Sequence, residues 1–93
     1  MAIDRQTKLF SMDVGVVTTV AANTTAERDI TVAAGVVAVG DFVAVNKPTA
    51  QAGLGVVGAR VKDAVTVALT YSNTTAGNVQ PTDENYLVFV MRP

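Results

Sequence analysis

Short runs of β-branched residues, alternating in polarity and cut about every 8–12 residues by turn formers, constrain this chain more than anything else. The run Val65-Thr66-Val67-Ala68-Leu69-Thr70-Tyr71 shows the pattern. Val65, Val67, Leu69 and Tyr71 share one face, and Thr66, Ala68 and Thr70 share the other. A period of two belongs to a strand, whose successive side chains point to opposite sides. Branching at Cβ restricts a side chain in a helix but suits the pleated surface of a sheet. No segment carries a helical period over ten residues, so the expected fold is all-β.

Six strands are expected, over residues 14–21, 26–32, 41–46, 56–61, 65–71 and 85–91. In the second, Ala26, Arg28, Ile30 and Val32 oppose Glu27, Asp29 and Thr31. In the last, Tyr86, Val88 and Val90 oppose Leu87, Phe89 and Met91, which leaves two apolar faces. Such a strand is central, or is covered by a neighbouring subunit. Between the strands lie Asn23-Thr24-Thr25, Ala34-Gly35, Lys47-Pro48-Thr49, Ala52-Gly53 and the stretch 73–81. Short strands with frequent turns predict a small β-sandwich or barrel. Residues 13–93 form one β domain, and the more polar residues 1–12 are read as an N-terminal arm or short edge strand.

Composition excludes several classes of function. With 93 residues there is room for one domain. Cysteine and histidine are both absent, which removes disulfides and the usual zinc and transition-metal ligands. A domain of this size is commonly reinforced by a crosslink, a metal or partner subunits, and only the last is left. Net charge is −1 with no basic stripe, so no nucleic-acid partner is expected. No apolar run reaches the roughly 18–20 residues of a membrane-spanning helix. Charges interleave through the first eight residues where a signal peptide needs an apolar centre, which predicts synthesis in a cytoplasm.

No catalytic, cofactor or metal residues are expected. Gly53-Leu54-Gly55-Val56-Val57-Gly58 fits the glycine pattern of dinucleotide-binding folds. That pattern needs a strand before it and a helix opening at it. A loop-like stretch precedes it here and β-branched residues follow, so the glycines are assigned to a bend. Asn23-Thr24-Thr25 and Asn73-Thr74-Thr75 match the glycosylation sequon but are explained as turns. Acidic residues are scattered, and the nucleophile and base pairs of acyl transfer lack His and Cys. The expectation is a protein that is not an enzyme and works by binding other proteins. Leu9, Phe10 and Met12 of the arm, with Phe89 and Met91 of the last strand, are the candidate interface residues. Arg60 joins them as a possible anchor for a carboxylate, although a solvated role is favoured.

Two stretches carry a family resemblance. One is Gly40-Asp41-Phe42-Val43-Ala44-Val45-Asn46-Lys47-Pro48-Thr49, continuing from Ala52 through Val61. The other runs from Val65 to Ala76, followed by Pro81 and the closing Tyr86-Leu87-Val88-Phe89-Val90. Together they resemble small virion structural proteins of tailed bacteriophages, over roughly the last sixty residues. The resemblance implies a β-sandwich-like virion component and brings no catalytic residues. Joined to the small size and surplus apolar faces, it leads to the expectation of a head decoration (cement) protein. Such a protein binds the major capsid protein from outside as a symmetric oligomer, for example a trimer. A neck, tail or fibre component is the structural alternative. A carbohydrate- or ligand-binding module is the alternative from another class, weakened by two Tyr, three Phe and no Trp.

Overall fold

The computed structural model describes residues 6–92, the side chain of Gln6 excepted. They form β1 (Gln6–Asp13), β2 (Thr24–Thr31), β3 (Phe42–Asn46), β4 (Leu54–Asp63), β5 (Thr66–Asn73) and β6 (Asn85–Arg92), without a helix. The strands lie in two antiparallel sheets, ordered β1-β6-β3 and β2-β5-β4. The core lies between them. Met12, Val43, Tyr86, Val88 and Val90 of the first sheet join Ile30, Leu54, Val61, Val67, Leu69 and Tyr71 of the second in one apolar cluster.

The two middle strands are those whose sequences allow burial on both sides. In β5, Val67, Ala68, Leu69 and Tyr71 are all inaccessible to solvent. In β6 the even positions Tyr86, Val88 and Val90 turn inward, while Leu87 and Phe89 face out. The alternation expected of β2 is found, with Ile30 in the core and Glu27 and Asp29 exposed. Strand β4 departs from simple alternation because its register against β5 shifts twice, between Val56 and Gly58 and between Val61 and Asp63. Each bulge inserts a residue and changes which parity faces the core. Val57 is thereby turned out to solvent, and Val56 and Ala59 both pack against the core.

One sequence expectation is corrected. Residues 14–21 form an irregular crossing segment rather than a strand, with one isolated bridge from Val20 to Val79. Val14, Val17 and Val20 are buried in it, at a spacing of three that no strand can present to one side. Gly15 opens the segment at φ +61°, which favours glycine. In place of that strand, residues 6–12 of the expected arm are built into the fold as β1. Its whole length pairs with β6, from Gln6 opposite Arg92 to Asp13 opposite Asn85. Residues 6–12 of the stretch read as an arm or short edge strand thus lie in an edge strand, and residues 1–5 lie outside the described part.

The crossing segment is zipped to the connection between β5 and β6. Val20 and Val79 exchange backbone hydrogen bonds of 2.8 and 3.0 Å, and Asn23 N–H donates to the Thr75 carbonyl. Asn73, 1% exposed, ties the two segments together. Its Nδ2 donates to the carbonyls of Val20, Ala21 and Gly77, and its Oδ1 accepts from the backbone N–H and hydroxyl of Thr75. The two Asn-Thr-Thr segments are thus neighbours in space, with Thr24 opposite Asn73 in the sheet. Gly53 completes the junction at φ +77°, where an added Cβ would run into Thr75 Cγ2.

Inside the core the hydroxyls of Tyr71 and Tyr86 meet at 2.8 Å, linking the middle strands of opposite sheets. Both side chains are fully buried, so each hydroxyl depends on the other. Tyr71→Phe or Tyr86→Phe alone should leave a buried hydroxyl without its partner and cost about 1–3 kcal/mol. The double variant should recover part of that loss, because both polar groups are then gone. Urea unfolding of the four proteins in the cycle checks this, and additive losses would contradict it.

Candidate protein interface

The outward faces of the two sheets differ in chemistry. On the β2-β5-β4 sheet, ion pairs arch over the middle strand. Arg60 of β4 holds Glu27 of β2 with two bonds of 2.9 Å, and Lys62 reaches Asp29 at 2.8 Å. Beneath them lies Ala68, which is opposite Asp29 on one side and Arg60 on the other and is 0% exposed. A small residue on β5 leaves room for long charged side chains to cross it, their stems covering the strand. The guanidinium of Arg60 holds the Glu27 carboxyl below its ordinary range. The ion pairs of this side neutralise one another, and Val57 stands exposed at the bulge of β4.

The outward face of the β1-β6-β3 sheet is uncharged across its three full rows, with Asp13 standing beyond them at the end of β1. Its register sets three rows across the strands: Thr7, Met91 and Phe42; Leu9, Phe89 and Ala44; Ser11, Leu87 and Asn46. Exposure is 65% for Leu9, 55% for Phe42, 46% for Leu87 and 38% for Phe89. A shallow groove of about 180 Å³ runs along it, lined by Leu9, Ala44, Val45, Asn46, Leu87 and Phe89. Contiguous exposed apolar surface of this kind marks sites of association more often than isolated apolar residues do.

Of the expected interface residues, Leu9, Phe89 and Met91 come together on this face. Phe10 and Met12 do not. β1 alternates, so their side chains turn the other way: Phe10 packs half-buried against the core, and Met12 is 3% exposed inside it. What Met12 docks on is the chain's own interior. Arg60 lies on the opposite sheet and is already engaged with Glu27. Phe42, Ala44 and Leu87 were missed by sequence reading. The alternation of Phe42-Val43-Ala44-Val45-Asn46 separates two faces but does not say which is inward. Tyr86 held that information for β6, since a buried hydroxyl needs a partner and Tyr71 offers one across the core.

Several other polar groups have structural partners. Glu84, beside the tyrosine pair, accepts a 2.6 Å bond from the Thr49 hydroxyl and lies 3.3 Å from Lys47 Nζ. These contacts hold its carboxyl below the ordinary range against the opposing effect of burial. Asp41, its side chain 2% exposed, is held down chiefly by Arg92 and also accepts the Ala38 N–H. Lys47 also donates to the Thr49 carbonyl, which fixes the turn after β3. The glycine-rich stretch 53–58 forms a turn and the start of β4, and no helix opens at it. Among the described residues no three of His, Cys, Asp and Glu gather as a metal site. Asn73 of the second sequon is buried in the folded chain.

Set against protein-family models, curated proteins and solved structures, the chain matches none.

The ionisable groups predict a plateau of stability in pH. Glu27, Asp41, Asp63 and Glu84 all have lowered values in the folded chain. The unfolded chain therefore takes up protons first as pH falls. The stability these groups add is complete above about pH 4.5 and is lost as pH drops through their folded values. Tyr71 and Tyr86 are raised by burial, so above about pH 10 the unfolded chain ionises first and stability falls again. Histidine is absent from the chain. Urea midpoints should be nearly constant from about pH 5 to about pH 9.5 and decline on both sides. A step near neutrality would contradict this assignment.

Proposed function

We propose that this chain is a non-catalytic structural protein that docks through the outward face of its β1-β6-β3 sheet. The observation that carries the reading is the contrast between the two outer faces. One is closed by its own ion pairs, and the other is apolar at its centre with Leu9, Phe42, Leu87 and Phe89 in the open. A sheet face of this kind gains free energy by being covered, about 25 cal/mol for each Å² of apolar surface removed from water. Nothing about such a partner requires chemistry from this chain.

The assembly proposed is the head shell of a tailed bacteriophage, with this chain laid on the major capsid protein as a decoration protein. Support comes from the resemblance carried by residues 40–49, 52–61, 65–76, 81 and 86–90 and from the small β body. On a shell the same contact recurs at every equivalent position. Where copies are linked, their modest contacts reinforce one another.

Two measurements test the reading. Mass spectrometry of separated heads and tails should find the chain with the heads, and recovery from tails alone would overturn the head assignment. The double variant Phe42→Lys with Leu87→Lys should lose binding to undecorated shells. Its urea midpoint should stay within about 0.5 kcal/mol of the parent, since both side chains are exposed. Retained binding would show that the docking surface lies elsewhere.

A further inference from the structure

We propose that β1 is a self-pairing edge: two copies join antiparallel through it, Leu9 opposite Leu9, into one six-stranded sheet. This deepens the reading of the outer face as a docking surface, and it can fail while that reading stands.

The four sheet edges are unequal. Natural edges are blunted by charge, by bulges, by proline or by shortness. β2 has Glu27, Arg28 and Asp29 at its middle. β3 has five residues and is soon followed by Pro48. β4 is broken by two bulges. β1 has eight residues in unbroken register and no proline, and between Lys8, whose ammonium is tied to the Gly35 carbonyl, and the terminal Asp13 it carries no charge. Among the described residues, the backbone groups of 7–13 make no hydrogen bond outside the ladder with β6. Their outward N–H and C=O groups are a template for one more strand.

Chemistry selects a second copy as that strand. A twofold axis through the sheet keeps inward side chains inward, so paired residues must share parity. Centring the pair on Leu9 sets Thr7 beside Ser11 and Lys8 beside Phe10, and no like charges meet. Centring it on Lys8 would oppose two ammonium groups, which is unfavourable. With Leu9 at the axis, the row of Ala44, Phe89 and Leu9 continues into Leu9, Phe89 and Ala44 of the second copy. Area argues the same way. Three strands about 4.8 Å apart and about 20 Å long present about 300 Å². A specific interface takes about 800 Å² from each partner. Pairing brings the uncharged platform to about 600 Å² in one step, alongside new backbone hydrogen bonds.

Sedimentation or light scattering of the whole chain should give twice the 9.6 kDa of one copy. A monomer or a trimer at every concentration reached would overturn the proposal. Leu9→Lys places two cations at the axis and should abolish the dimer while leaving the circular dichroism of the sheet intact. Persistence of the dimer in that variant would overturn the proposal. Because the parent lacks cysteine, Leu9→Cys should form a disulfide between copies on mild oxidation. Ala44→Cys, on the far edge, should not. Equal crosslinking of the two would also overturn it. A monomer that still binds shells, with binding lost in the Phe42→Lys and Leu87→Lys variant, would sink the pairing alone and leave the docking face in place.

Discussion

Tyr71 and Tyr86 occupy the middle strands of opposite sheets, and their hydroxyls meet at 2.8 Å in a core otherwise built of aliphatic side chains. Two sheets of three strands have a single interior layer, and a purely apolar layer lets the sheets slide or rotate with little penalty. One polar contact between buried groups removes that freedom, since a displaced hydroxyl loses its partner where water cannot replace it. The choice of inward faces follows. Once Tyr86 turns inward, β6 must present Leu87, Phe89 and Met91 outward, and the pairings with β1 and β3 carry Leu9, Phe42 and Ala44 to the same side. The surface read here as an interface is set by a contact on the other side of the sheet.

Much of the architecture was legible where polarity alternates without interruption. β2, β5 and β6 lie within two residues of their expected limits, because their side chains are sorted by a period of two. Two regions were not legible, for different physical reasons. β4 also lies within two residues of its expected limits, but the inserted residue at each bulge breaks the period, so which of its side chains face the core was not legible. In residues 14–21 the valines suggest a strand, yet the segment buries Val14, Val17 and Val20 while its backbone bonds to the connection after β5. That partner is about sixty residues away in sequence, and no local pattern announces it. The same limit applies to the interface. Leu87, Phe89 and Met91 were visible as a second apolar face, whereas Phe42 and Ala44 join them only through cross-strand register.

The two outward faces show how one scaffold handles surface in opposite ways. On the second sheet a small residue, Ala68, is roofed by ion pairs reaching from both edge strands. Exposed pairs of this sort add little to stability. They do leave that side hydrated and unattractive to other proteins. On the first sheet the only charged side chain of outward parity among the described residues is Asp13 at the end of β1, and the large apolar groups stay open. The asymmetry gives the molecule a defined front and back.

The ladder that places Leu9 opposite Phe89 also bears on how the polypeptide is made. Synthesis proceeds from the N-terminal side, so β1 leaves the ribosome long before the strand it needs. A nascent chain ending anywhere before residue 85 holds Leu9-Phe10-Ser11-Met12 with no ladder to join. Contacts of such long sequence separation are slow to form. The first sheet therefore closes only after translation has passed β6, and until then β1 and β3 both wait for their shared partner.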